Sequence, residues 1–161
     1  MNKTLFEQLN ESDIALLLGA LPRIAILVGS ADGDFDQNER DWAKKLVQIR
    51  AFKHPEVLEG LYENLETDFE TTLNTLTDSY PTELTALQEQ ITAELLPING
   101  ILEKLDISTA NVLYDSLKSF AWHISRSSGG FLGIGAISKE EEKWVSLPMI
   151  SPPPPISDEE E

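Results

Sequence analysis

Apolar residues recur at intervals of three and four along most of this chain, and that spacing is the feature that most restricts its fold. It places Leu61, Leu65 and Phe69, for example, on one face of a helix. Sustained alternation of apolar and polar residues, the pattern of a half-buried strand, is nearly absent. The sequence therefore predicts an all-α protein with seven or eight helices and no sheet.

Glycine, proline and capping residues divide this pattern into segments. A first helix is expected over about Ser12 to Gly19, and Pro22 fits the first turn of a second one. Further helices are expected from Asp36 to Ile49, from His54-Pro55 to about Asn74, from Tyr80-Pro81 to a break at Pro97 and Gly100, from Ser108 (as N-cap) to near Gly129, and from Ser138 to before Pro148. Trp42, Leu46 and Ile49 are expected on one apolar face.

A chain of 161 residues fits one ordinary domain. We expect residues 1–150 to form the helical domain. Residues 151–161 combine a proline run with an acidic end, so they are expected to be an extended, disordered tail. No apolar stretch reaches the roughly 20 residues that span a bilayer, and the N-terminal residues do not resemble a signal peptide, so a cytoplasmic protein without a transmembrane segment is expected.

The charge balance restricts the partners. There are 28 acidic and 12 basic residues, and the net charge of −16 argues against binding nucleic acid or an anionic membrane. A cation or a basic protein is the natural complement of such a field. The absence of cysteine excludes a disulfide framework and a Cys-ligated zinc site.

The acidic residues are concentrated in the middle of the chain. Residues 56–94 hold ten of them and no Lys or Arg. Five glutamates fall three and four apart and form a stripe on the predicted helix: Glu56, Glu59, Glu63, Glu66 and Glu70. The stripe is interpreted as a solvated face, with cation binding or the docking of a basic partner as alternatives.

Two stretches, residues 24–42 and 121–144, resemble each other. In each, an apolar helix leads into a Gly-containing break, and the next helix opens with a capping box followed by Trp. The matching residues are Asp36, Glu39 and Trp42 in the first copy, and Ser138, Glu141 and Trp144 in the second. The repetition predicts two pseudo-equivalent helical halves around one core, with both tryptophans in matching buried positions.

Residues 31–39, ADGDFDQNE, resemble the A-D-G-x5-E signature of TerB-like tellurite-resistance proteins. Residues 128–141, SGGFLGIGAISKEE, are similar to the second, Gly-rich loop of that family. The resemblance implies an all-α fold of two helical halves, a carboxylate cluster that holds metal ions, and a role in tellurite or metal-stress resistance without catalysis. Gly129 stands where relatives can carry an acidic residue, so a second, symmetric ion site is not implied.

Independently of the resemblance, Asp32, Asp34 and Asp36 have the D-x-D-x-D spacing of a calcium loop. The sixth and twelfth positions are Gln and Ala rather than Gly and Glu, so this is not an EF-hand. Glu39 can supply a fourth carboxylate. These four side chains suit a hard divalent cation, Ca²⁺ or Mg²⁺, with Zn²⁺ or Mn²⁺ as alternatives.

Helix capping is the competing interpretation of the same residues. Asp36 as N-cap, Glu39 at the third helical position and a turn at Asp32-Gly33 explain every choice except Asp34. Both interpretations stay open at this stage.

No enzyme chemistry is expected. The chain has no G-x-S-x-G elbow and no phosphate loop. Its two histidines, His54 and His123, are expected to be structural residues rather than metal ligands. The apolar residues of the Gly-rich loop are interpreted as a packing or interaction element.

Overall fold

The computed structural model describes residues 3–31, 35–129 and 139–156. All regular elements in these ranges are helical, which confirms the predicted fold class. Seven helices have seven residues or more, and a four-residue helix, α1, precedes them. The helices are α1 (Leu5–Gln8), α2 (Glu11–Gly29), α3 (Gln37–Phe52), α4 (Leu61–Ser79), α5 (Leu84–Leu95), α6 (Ile98–Lys104), α7 (Ile107–Gly129) and α8 (Lys139–Val145), with a 3₁₀ turn at Glu56–Leu58.

Helix α2 lies at the centre of the fold. Eleven of its nineteen residues are buried, and it packs against α4, α5 and α7. By length and composition it is also apolar enough to cross a membrane, with a mean hydropathy of 1.7 over the relevant stretch. Because 61% of that stretch is buried inside the fold, as in the core helix of a globular domain, this is weak evidence for a membrane segment.

The prediction of two separate helices on either side of residue 20 was wrong, because Pro22 lies inside α2. An internal proline removes one backbone hydrogen bond and displaces the carbonyl four residues earlier. Next to that position, Arg23 donates from Nη1 to the Gly19 carbonyl at 2.9 Å, and its Nε pairs with Glu94 of α5 at 3.0 Å. Burial and this side-chain contact hold the helix together across the proline.

Helices α3, α4 and α7 pack against one another beside α2. On α3 the buried residues include Ala43, Leu46 and Val47, whereas Trp42 is half-buried. Ile49 is 49% exposed, so the expected face was placed too far round the helix. The spacing of Ile49 from Leu46 and Trp42 fits the edge of the apolar face of α3, and only packing against other helices decides whether that edge is covered.

The helix expected from His54-Pro55 begins only at Leu61, because residues 56–58 form a 3₁₀ turn instead, and the helix expected from Tyr80-Pro81 begins at Leu84. Gly60 precedes α4 with φ of +98°, a conformation that favours glycine. The chain breaks between α5 and α6 at Pro97, as predicted, whereas Gly100 lies inside α6 and does not break it. Helix α7 begins at Ile107, and the carboxylate of Asp106 accepts from Thr109 N at 2.7 Å. Ser108 was therefore the wrong choice of cap.

Residues 151–156 form no regular secondary structure. The Ser151 N–H donates to Asn99 Oδ1 at 2.8 Å, and Asn111 Nδ2 donates to the Pro154 carbonyl at the same distance. Two side chains of the domain thus hold the start of the proline run. Residues 157–161 lie outside the described part of the chain.

Candidate functional site

The acidic loop, residues 30–36, connects α2 to α3, and residues near both of its ends are buried in the core. Ala31 is 2% exposed and Phe35 is 7% exposed. The Phe35 ring covers Gly29, where an added Cβ would lie 2.3 Å from a ring carbon. Real Cβ atoms do not approach that closely, so a side chain at position 29 would displace the ring.

Asp36 and Glu39 form the capping box predicted from the sequence. The Glu39 N–H donates to Asp36 Oδ1 at 2.8 Å, and the Asp36 N–H donates to Glu39 Oε1 at 3.0 Å. Asp36 is exposed, but Glu39 is only 5% exposed. The two residues therefore exchange hydrogen bonds at the first turn of α3, and Asp36 is exposed whereas Glu39 is buried.

The other two predicted ligands, Asp32 and Asp34, lie outside the described residues. Within ranges 3–31, 35–129 and 139–156, no group of three or more His, Asp or Glu side chains is arranged to hold a metal ion. The structure therefore brings Asp36 and Glu39 together, with capping as the function of both. It leaves the four-carboxylate site a prediction.

Arg40 is the cation next to this loop. Its guanidinium lies over the Phe35 ring, 5.5 Å from the centroid, and its Nε donates to the Phe35 carbonyl at 3.3 Å. Nη1 donates to Asn74 of α4 at 3.3 Å. Arg40 thus contacts both the ring and the carbonyl oxygen of Phe35. Because that oxygen already accepts a hydrogen bond, the carboxylates are the candidate metal ligands of this loop.

The second copy of the repeat is described only in part. Residues 130–138, with the Gly-rich loop and Ser138, lie outside the described residues, as does the side chain of Glu141. Trp144 is 8% exposed, whereas Trp42 is half-buried, so the two tryptophans are not buried to the same degree. Trp42 contacts the second copy directly: its Nε1 donates to the His123 carbonyl at 2.9 Å.

The five glutamates of the predicted stripe are all exposed, but the prediction that they share one helix was wrong. Only Glu63, Glu66 and Glu70 lie on α4, because Glu56 belongs to the 3₁₀ turn before it and Glu59 directly follows that turn. Two of the five have cationic partners: Glu70 pairs with Lys44 of α3 at 3.0 Å, and Glu63 lies 2.9 Å from His54 Nε2. The other ring nitrogen of His54 lies 2.9 Å from the Pro55 carbonyl. Since both nitrogens face oxygen acceptors, only the protonated ring can donate to both.

The pKa of His54 is raised above its usual 6.5, chiefly by the hydrogen bond to the Pro55 carbonyl; burial opposes this rise, and the hydrogen bond and charge of Glu63 add to it. Burial raises the pKa of Glu63, but its hydrogen bonds, including those with His54 and the Gly60 N–H, outweigh burial, so that the pKa is lowered overall. His123 behaves oppositely to His54: burial, and then the charge of Arg50, lower its pKa.

Sequence analysis missed Arg50. Its Nη1 donates to Tyr62 Oη at 2.9 Å, to the Ser116 carbonyl at 2.9 Å and to Ser116 Oγ at 3.2 Å. Its Nη2 donates to Ser119 Oγ at 2.8 Å. One signal was available: the residues three and four positions away include no acid, being Leu46, Val47, Lys53 and His54. Without an acidic neighbour on its own helix, Arg50 forms its contacts with other helices.

Comparison of the chain with family models, with curated proteins and with solved structures found no match.

Proposed function

We propose that this is a non-enzymatic, cytoplasmic helical protein that binds one divalent metal ion through Asp32, Asp34, Asp36 and Glu39. Ca²⁺ or Mg²⁺ is the favoured ion. The observation that carries the proposal is the pairing of Asp36 with Glu39 at the first turn of α3, directly after two further aspartates. By its resemblance to TerB-like proteins, the role would be in tellurite or metal-stress resistance.

The anchoring of the loop supports this proposal. Ala31 and Phe35, which flank Asp32 and Asp34 in the sequence, are both buried. Four negative charges within eight residues repel one another unless a cation is present. The loop also leaves the C-terminal end of the 19-residue helix α2, where backbone carbonyls and the helix dipole favour positive charge.

The pseudo-repeat belongs to the same proposal. Residues 24–42 and 121–144 would be equivalent halves, of which only the first carries the acidic loop. The hydrogen bond from Trp42 to the His123 carbonyl supports a junction between the two halves. In this view Gly129 and its neighbours replace the ion-binding loop with an apolar one.

A thermal-shift panel tests the metal proposal. An ion that binds only the folded protein raises the free energy of unfolding by RT ln(1 + [L]/Kd). We expect Ca²⁺ or Mg²⁺ to raise the melting temperature after treatment with chelator, and the Asp34→Asn variant to show no such rise. An equal rise in the wild type and in Asp34→Asn would show that the ion acts elsewhere on the acidic surface.

A second candidate function is a protein-interaction module whose acidic face docks a basic partner. The observation that favours it is the exposure of all five glutamates of the stripe, of which three have no cationic partner among the described residues: Glu56, Glu59 and Glu66. A fluorescent poly-lysine peptide is the probe. We expect Glu59→Gln combined with Glu66→Gln to weaken its binding, whereas Glu7→Gln, an exposed change outside the stripe, leaves binding unchanged.

A further inference from the structure

We propose that the cavity between α3, α4 and α7 binds a small organic anion, whose carboxylate or phosphate group pairs with Arg50. The cavity has a volume of about 400 Å³ and is lined by Arg50, Tyr62, Ser116 and Ser119, among others. It does not involve the acidic loop, so this inference is independent of the proposed metal site.

Arg50 forms no ion pair with any carboxylate that the structure describes. Its guanidinium is half-buried and, among the residues that the structure describes, no carboxylate lies within 4 Å of it. The groups that it contacts are three hydroxyls and one backbone carbonyl, all uncharged. A partly buried cation without a counter-ion is costly, and the chain has 28 acidic residues that could have been placed beside it. An anionic ligand would supply the missing charge.

The geometry leaves part of the guanidinium available. An arginine has five N–H donors, in a planar fork that matches a carboxylate or a phosphate. The described contacts use Nη1 and one hydrogen of Nη2, so Nε and the second hydrogen of Nη2 donate to no described residue. The Tyr62 and Phe120 rings lie 5.5 and 5.6 Å from the guanidinium carbon and limit its movement. The free donors are thus held in one orientation before any ligand binds.

The rest of the cavity sets the class of ligand. Lys53 lies in its wall and adds positive charge, His54, which pairs with Glu63, also lines it, and Asp115 is the carboxylate of the lining. Pro55 and Val112 supply apolar surface. A volume of about 400 Å³ lies in the range of small-molecule sites and exceeds what a bare phosphate fills. The cavity therefore fits an anionic group on Arg50 and an organic body against Pro55 and Val112.

The test follows the Arg50 Nε–H resonance by NMR while benzoate, phenyl phosphate or the neutral benzyl alcohol is added. We expect saturable shifts of this resonance with at least one of the two anions, and none with benzyl alcohol. The anion that binds more tightly assigns the carboxylate or the phosphate class. The Arg50→Gln variant should raise Kd for that anion about tenfold or more, because a charged hydrogen bond is lost. Arg126→Gln, an exposed change on α7, the helix that carries Ser116 and Ser119, should leave Kd within about twofold.

Three results would overturn the inference. The first is no saturation by either anion up to about 10 mM, which would mean very weak binding. The others are equal shifts with benzyl alcohol and equal weakening of anion binding by Arg126→Gln. In those cases Arg50 only links α3, α4 and α7. If Arg50→Gln fails to fold, the first two comparisons, which use the wild-type protein alone, still decide the question.

Discussion

The indole of Trp42 donates from Nε1 to the backbone carbonyl of His123 at 2.9 Å, across 81 positions of sequence. This bond joins the helix that follows the acidic loop to the long helix α7. The carbonyl lies within a helix, where it would ordinarily accept only from the backbone, so the indole adds a contact between helices that packing alone does not provide. It fixes the position of α3, and with it the position of Asp36 and Glu39.

Replacing Trp42 with Phe should lower the free energy of unfolding by about 1 kcal/mol, since a half-buried hydrogen bond is lost. Urea unfolding measures the change. Trp122→Phe is the control, because Trp122 is 43% exposed and its indole donates to no residue in the described ranges. In hydrogen exchange the Trp42 indole N–H should be protected and that of Trp122 should not. Equal exchange of the two protons would contradict the contact.

Two glycine-to-alanine substitutions should act in opposite directions. Gly100 is an exposed residue within α6, and an added Cβ meets nothing within 4 Å, so Gly100→Ala should stabilise the protein by about 0.5–1 kcal/mol through helix propensity. Gly29→Ala drives a methyl group into the Phe35 ring and should destabilise it by about 1–3 kcal/mol. Thermal and urea unfolding of both variants check the signs. A stabilising Gly29→Ala would show that Phe35 does not anchor the loop.

The two histidines should titrate on opposite sides of 6.5. The pKa of His54 is raised and that of His123 is lowered, for the reasons given above. His54 therefore stabilises the fold fully below pH 6.5, and this contribution is lost as pH rises through its folded-state pKa. The contribution of His123 is present above pH 6.5 and is lost as pH falls through its folded-state pKa.

NMR titration of the imidazole nitrogens measures both values directly, with His54→Gln to assign the two signals. In the Glu63→Gln variant the pKa of His54 should fall toward its usual value, while that of His123 stays unchanged. A His54 that titrates below His123 would contradict the described contacts with Pro55 and Glu63.

Local signals predicted the fold class and the capping of α3 correctly, because periodicity and capping boxes depend on residues close in sequence. They failed at Pro22, where burial on several sides keeps α2 continuous despite the lost hydrogen bond. They also failed at Ile49, whose exposure depends on which neighbours cover α3. Arg50 could not be assigned from sequence, since its partners Tyr62, Ser116 and Ser119 come from two other helices.

Substitutions in the acidic loop should separate capping from ion binding. Asp36→Ala should cost about 1 kcal/mol of unfolding free energy with or without divalent ions, because the bond to the Glu39 N–H is lost. Asp34→Asn should leave the ion-free protein as stable as before, or slightly more so, since it relieves repulsion between carboxylates. Urea unfolding in chelator checks both. A destabilising Asp34→Asn in chelator would mean that Asp34 has a structural role of its own.

The central claim is that the acidic loop is an ion site and more than a helix cap, and calorimetric titration tests it most directly. The wild type and Asp34→Asn are titrated with Ca²⁺, Mg²⁺, Mn²⁺ and Zn²⁺ at physiological ionic strength. The account predicts saturable binding of at least one ion by the wild type, Ca²⁺ or Mg²⁺ foremost, and its loss in Asp34→Asn. Absence of saturable binding below the millimolar range for all four ions would contradict it.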